Sequence, residues 1–285
     1  MRKKRIFFIA VLLTLAVTVW GCVTQSPGEE QQPKLTMHVI DVGQGDSILL
    51  QAGGSVVLID AAEKSKAATI TDYLKHLNIS VIDLFISTHP HADHIGGAVE
   101  VLKNFAVKRI IDSGKSHTSQ TYLEYLKYID DKDIPFEVVD FQQIELSPDV
   151  TLRVIGPIKE YSSLNDSSVI ANVSFGVQTI LLTGDMEHAA EEDLAAVADV
   201  SATILKVGHH GSRTSSTADF LALVQPQVAL ISVGEGNTYG HPTEEALGRL
   251  TDLGATIYRT DIHGTIKLTF DGKGYAESTE KGQGK

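Results

Sequence analysis

Cysteine is almost absent. The only one in 285 residues is Cys22, which excludes an intrachain disulfide and any thiolate-cluster metal site. There is no cysteine nucleophile in the body of the chain and no G-x-S-x-G run to mark a serine-hydrolase elbow. Cations are also scarce, with 24 Lys and Arg against 36 Asp and Glu, a net charge of −12. That balance argues against a long electrostatic track along nucleic acid, because phosphate contacts need clustered positive charge. No short repeat is present, and no low-complexity segment outside the Gly- and Lys-bearing tail after Asp271. What remains is 42% hydrophobic and 21% charged, the composition of a globular protein with a sizeable core. Any metal chemistry must rest on His, Asp and Glu.

The N-terminus reads as targeting rather than fold. Arg2, Lys3, Lys4 and Arg5 precede an apolar run from Ile6 to Trp20, the pattern of a secretory signal. The run ends at Val19-Trp20-Gly21-Cys22, which resembles the lipobox of prokaryotic lipoproteins and implies lipidation of Cys22 after cleavage. The alternative is an uncleaved anchor, since Ile6 to Val23 is just long enough to approach a bilayer span. Both readings predict an extracytoplasmic protein held at the membrane. The resulting plan is a signal over 1–21, a polar, Pro-containing tether over 22–34, a folded domain over 35–275 and a flexible tail over 276–285.

The body alternates strand and helix patterns. Leu35–Asp41, Ser47–Gln51 and Val56–Ile59, separated by turn glycines, predict an antiparallel meander. Val81–Ser87 predicts one buried strand, and later strands are expected at 109–112, 151–155, 169–175, 179–183, 203–207, 228–233, 256–258 and 265–270. Helices are expected at 63–77, 95–104, 118–129, 187–198, 218–224 and 244–253. Interleaving of this kind predicts an α/β fold, sheets with helices on their outer faces.

The chemistry gathers at strand ends. His89-Pro90-His91-Ala92-Asp93-His94 follows the strand Val81–Ser87 and precedes Gly96-Gly97. Three imidazoles and a carboxylate in six residues, with no thiolate, suit Zn, Mn or Fe. His89 and His91, two apart on an extended segment, can share one side, while Asp93 and His94 turn toward a second point. A bland reading makes this a surface loop with Asp93 as helix cap.

His-x-His-x-Asp-His after a buried strand resembles the signature of the metallo-β-lactamase fold superfamily. Asp41-Val42-Gly43-Gln44-Gly45-Asp46, the run from Ser87 to Gly97, Leu182-Thr183-Gly184-Asp185 and Val207-Gly208-His209-His210-Gly211-Ser212 resemble, in order, the C-terminal hydrolase domain of the competence protein ComEC. The resemblance spans about residues 35–270 and implies an αβ/βα four-layer sandwich with one or two divalent ions, Zn or Mn. It implies His89 and His91 as ligands of one metal, Asp93 and His94 of the other, and Asp185 as the bridge. It implies a further ligand from the His209-His210 pair, either His209 or His210, with the other left to hydrogen-bond a leaving group. His241, in Tyr239-Gly240-His241-Pro242, is expected to line the substrate cleft. Asp46 and Asp60 are expected to orient ligand imidazoles.

One departure affects the metal. The superfamily's third histidine for the first ion is missing, and Asn165-Asp166-Ser167-Ser168 occupies that stretch. Asn165 or Asp166 is a candidate oxygen ligand, which would favour Mn, or else the stretch is only a turn that caps the following strand. The expected function is metal-dependent hydrolysis, with a phosphodiester or nucleic-acid substrate first and a small ester, lactone or β-lactam as the alternative. Asp93, Asp185, His210 and His241 are the expected catalytic set. A non-catalytic, surface-anchored binding module is the third reading. Lys206 and Arg213 are the local cations expected to meet phosphates, and no protein partner is expected. His38, His76, His117 and His188 are expected to be structural or superficial, and His263 a surface turn residue.

Overall fold

The computed structural model describes residues 35–282, all within one compact unit. Cys22, the expected signal and tether, and residues 283–285 lie outside the described residues. The first half opens with the expected meander, β1 (Leu35–Val39), β2 (Ile48–Ala52) and β3 (Ser55–Ile59). α1 (Ala67–His76) follows, with Ile70 and Leu74 on its buried face. The single strand expected over Val81–Ser87 is two: β4 (Val81–Ile82) and β5 (Leu84–Ser87). Asp83 makes the break, because its carboxylate accepts from the Val56 N–H at 2.8 Å and pairs with Lys108 at 2.6 Å. The helix expected over 95–104 is likewise interrupted, giving α2 (Ala92–Ile95) and α3 (Ala98–Asn104). β6 (Ala106–Val107) pairs with β4, and β7 (Ile110–Asp112), α4 (Gln120–Asp131) and β8 (Phe136–Val138) complete this half.

The second half contains β9 (Gln142–Ser147), β10 (Val150–Gly156), β11 (Ile170–Phe175) and β12 (Gln178–Leu182) in antiparallel succession. It continues as α5 (His188–Val197), β13 (Ile204–Lys206), α6 (Ala218–Val224), β14 (Val228–Ile231), α7 (Glu244–Asp252), β15 (Thr256–Arg259) and α8 (Thr260–His263). β16 (Ile266–Phe270) then returns to pair with β1, and β17 (Tyr275–Thr279) pairs with β16. Residues 275–279 are therefore an edge strand, where the sequence predicts a flexible tail from 276. Their polar side chains hide a strand whose order comes from backbone bonds to β16.

Beside the short β4-β6 pair, the described residues form two large sheets, in the orders β17-β16-β1-β2-β3-β5-β7-β8 and β15-β14-β13-β12-β11-β10-β9. Alternation along each strand sends successive side chains to opposite faces. Met37, Leu50, Ile86, Val173, Ile180 and Leu230 fill the space between the sheets. Leu49, Leu58 and Phe85 face outward onto Ile70, Val101 and Tyr125 of α1, α3 and α4. Leu181, Leu205 and Ala229 pack on Leu194, Phe220 and Leu250 of α5, α6 and α7. The order helix, sheet, sheet, helix is the αβ/βα four-layer sandwich. β3, β5 and β7 run parallel, as do β12 to β15, and side chains beyond the carboxyl ends of such strands face a cleft.

Candidate metal centre

The loop after β5 is fixed by a carboxylate from the neighbouring strand. Thr88 donates its backbone N–H and its hydroxyl to Asp60, at 2.8 and 2.7 Å. His91 caps α2, so Asp93 and His94 fall inside the helix; Asp93 is not the cap. Gly45 makes this approach possible: with φ at +104°, a Cβ there would stand 2.1 Å from the Asp93 carbonyl oxygen. Further along the chain, His209 and His210 both take left-handed backbone angles, φ 45° and 54°, before Gly211. That turn sends the two adjacent imidazoles to different places.

Among the described residues four groups of three candidate ligands converge here, the atoms of each lying within 4.8 Å of one another. Two of them do without Asp46: His89, His91 and Asp185 form one, and Asp93, His94 and His210 form the other. Asp185 Oδ2 lies 3.8 Å from His89 Nε2 and 3.2 Å from His94 Nε2, while Oδ1 lies 3.6 Å from His210 Nε2. His210 Nε2 is also 3.5 Å from Asp93 Oδ2. Among the described residues His94 Nε2, His210 Nε2 and Asp185 Oδ1 are buried and make no hydrogen bond. Buried donors and acceptors normally find partners, so orphaned atoms converging on one point fit an absent cation. Nitrogen and carboxylate donors without sulfur suit a hard or borderline divalent ion.

The opposite ring nitrogens are held. Asp60 Oδ2 meets His94 Nδ1 at 2.7 Å, and the Ser232 carbonyl meets His210 Nδ1 at 2.9 Å. The hydroxyls of Thr88 and Ser168 lie 3.2 and 3.3 Å from His89 Nδ1. Such contacts select the tautomer that leaves Nε2 for a metal. Electrostatics inside the cluster are strongly coupled. Burial alone would push Asp185 up, but the imidazoles of His94 and His210 outweigh it and hold the carboxyl well below its usual range. Burial, reinforced by His94, keeps His89 well below an ordinary imidazole.

The other expected residues divide. Of the pair between which the sequence does not choose, His210 is buried and stands in the second group, while His209 stands outside both with its side chain 25% exposed. His209 Nε2 is 3.9 Å from Asp185 Oδ2, and Nδ1 is 3.1 Å from Glu187 Oε1. Glu187 also accepts from the Thr214 hydroxyl at 2.5 Å. Asn165 Nδ2 lies 3.4 Å from His209 Nδ1, and its buried Oδ1 makes no hydrogen bond among the described residues. Asp166 instead accepts from the N–H groups of Glu187 and Ala190 at 3.1 and 3.4 Å, tying down the start of α5. Asp185 does not cap that helix; Glu187 does. Asp46 pairs with Lys206 at 2.9 Å and lies 3.5 Å from His210 Nδ1.

Lys206 corrects an expectation. Its side chain is wholly buried against Asp46 and the Val207 carbonyl, so it cannot meet a phosphate. A cation on the inward side of a strand end is spent neutralising a buried carboxylate. Arg213 remains exposed. His241 borders His209 with ring centroids 5.4 Å apart. His117 lies nearer the centre than expected, 6.5 Å from the His91 ring, because the segment after β7 folds back over it. His38 is buried against Tyr73 and is structural. Thr88 and Ser168 lie inside stretches the sequence singles out but carry no role there, and the one signal for Glu187 is a carboxylate two residues beyond Asp185.

Residues 40–235 match the family model described as the metallo-beta-lactamase superfamily. The chain is 29% identical over 254 residues to ComE operon protein 3 of Bacillus subtilis (strain 168), covering 82% of this chain and 33% of that protein. It is 28% identical over 253 residues to Competence protein ComA of Neisseria gonorrhoeae, covering 87% and 34%. The chain thus spans about a third of the length of the curated relatives it matches. Tm1679, a metal-dependent hydrolase of the beta-lactamase superfamily, aligns with a TM-score of 0.53 at 16% identity, over 79% of this chain and 95% of that one, a likeness of fold. By family match, sandwich and ligand geometry together, the chain belongs to the metallo-beta-lactamase superfamily.

Proposed function

We propose that this protein is a metal-dependent phosphodiesterase acting on nucleic acid. The observation that carries the reading is His209, an imidazole held by Glu187 on one side and aimed at Asp185 on the other, beside two candidate metal groups. Divalent ions in those groups would acidify water and offset charge building on a phosphorus centre. The chain's own part is geometric and protonic. His89, His91, Asp93, His94 and His210, with Asp185 between them, fix the reacting position. His209, partly open to the cleft, delivers a proton from Nε2 to the departing oxygen, and Glu187 keeps the imidazole oriented. The choice of phosphodiester draws on a relative named as a competence protein.

The buried state of Lys206 favours a second reading, a small ester or lactone, since it removes one of two cations that would grip a phosphate chain. One experiment separates the two. The purified chain is stripped of metal, resupplied with Mn or Zn, and offered single-stranded DNA and a panel of small esters, with His91→Ala as control. Metal-dependent DNA cleavage lost in the variant supports the proposal; ester cleavage alone overturns it in favour of the second reading. We further propose that Cys22 anchors the protein outside the membrane. Labelled palmitate incorporated by the full chain but not by Cys22→Ser is the expected outcome, and equal labelling would refute it.

A further inference from the structure

An aromatic ladder leads out of the cleft from the proton donor. The His209 ring neighbours His241 at 5.4 Å, and His241 is stacked with Tyr239 at 6.1 Å and an interplanar angle of 15°. Tyr239 is 65% exposed, so much of its ring faces water although it stands beside the candidate centre. An exposed aromatic on a loose loop would mean little. This loop is built: Asn237 Oδ1 accepts from the Tyr239 and His241 N–H groups at 3.2 and 3.1 Å, and Asn237 Nδ2 donates to the carbonyls of Gly234 and His241 at 3.0 and 2.6 Å. Pro242 then seats against Gly211, where a Cβ would fall 2.6 Å from the Pro242 Cβ, and Thr243 N–H bonds to the Gly211 carbonyl at 2.9 Å. The ring is therefore pre-positioned relative to His209 and His210, with the exposed Arg213 on the adjoining loop.

We propose that Tyr239 is the stacking platform for the base of the leaving nucleotide, so that the substrate is a strand with an unpaired base beside the scissile bond. The inference rests on the phosphodiesterase reading above and names its substrate more narrowly. The physical basis is that every nucleobase has a π-face, and a rigid exposed ring binds one with little ordering cost and little sequence preference. His209 fixes the side: the oxygen it protonates belongs to the departing nucleotide, and the ladder leads from that imidazole to Tyr239. A base paired in a duplex cannot offer its face to the ring.

The test uses the full chain with Mn and two diesters, a dinucleoside monophosphate and its analogue lacking the base on the leaving side. Tyr239→Ala is expected to lower the ratio of kcat/KM between base-bearing and base-free substrates by about tenfold, mainly through KM, with Tyr239→Trp restoring it. An unchanged ratio in an active Tyr239→Ala chain would overturn the platform while leaving the phosphodiesterase reading in place. A separate binding measurement covers an inactive enzyme. Quenching of a 2-aminopurine dinucleotide by the His91→Ala chain should disappear when Tyr239→Ala is added. Quenching that ignores Tyr239, or no quenching at all, refutes the platform; cleavage of neither diester by the wild-type chain instead refutes the reaction.

Discussion

His94 and His209 each bring an imidazole to Asp185, and each is held from behind by a carboxylate, yet they occupy opposite environments. His94 lies in the floor of the cleft, wholly buried, with Asp60 at 2.7 Å. His209 lies in the wall, a quarter exposed, with Glu187 at 3.1 Å. A buried imidazole among carboxylates has no water to exchange a proton with, so its free nitrogen serves a cation. In the proposed reaction a partly open imidazole with the same carboxylate backing passes a proton to the departing oxygen. On that reading the same dyad does two jobs, and burial decides which.

Breaking the floor should have the largest effect. Asp185→Asn changes the carboxylate that completes the first group and lies 3.2 Å from His94 and 3.6 Å from His210 of the second; hydrolysis should fall to background, and bound metal per chain, read by atomic emission, should drop with it. In the wall, His209→Ala should lower kcat within the range of about 10²–10⁴ typical of a lost general acid, while bound metal stays at the wild-type level. Replacing the leaving group by p-nitrophenolate, which departs without a proton, should shrink that loss; an undiminished loss would move His209 into the floor's role. Asp60→Asn should weaken metal affinity by roughly 10–100-fold, as expected for a group that orients a ligand, in a competition titration with a chelating dye.

Stability separates the regions as well. Lys206→Met leaves Asp46 buried and unpaired beneath the floor, and should cost about 3–5 kcal/mol in urea unfolding. Asp112 supplies the smallest and most diagnostic effect. It ends β7, paired in register with Ser87, and burial pushes its carboxyl up to about 6. Because the folded value lies above the unfolded one, stability is full at acidic pH and falls as pH rises through about 6. Asp112→Asn should remove that decline, so its gain in melting temperature over wild type should widen from pH 5 to pH 8, worth roughly 1–3 kcal/mol. A constant difference across that range would show that Asp112 does not titrate there.

Much of the floor was legible because its chemistry is local. Three imidazoles and an acid within six residues after an apolar strand cannot be spread apart by folding, and Asp185 follows a strand of plain pattern. The wall was less so. His209 and His210 are the same residue type side by side, and only the two left-handed backbone angles separate the partly exposed imidazole from the buried ligand candidate. Strands β8, β9 and β17 escaped because edge strands wet on one or both sides carry weak alternation, and their order comes from pairing with partners far along the chain.

The sequence by itself determined the α/β class, the superfamily resemblance, the absence of thiol chemistry and the residues able to hold a cation, since each depends on composition or on neighbours within a few positions. Tertiary structure alone decided that Lys206 answers Asp46 rather than solvent, that Asp166 holds a helix while Asn165 stands beside His209, and that Tyr239 lies at the lip of the cleft. Those outcomes depend on which strand ends are brought together, and charge, burial and aim at a site are properties of that assembly, as in the pairing of Asp46 with the distant Lys206.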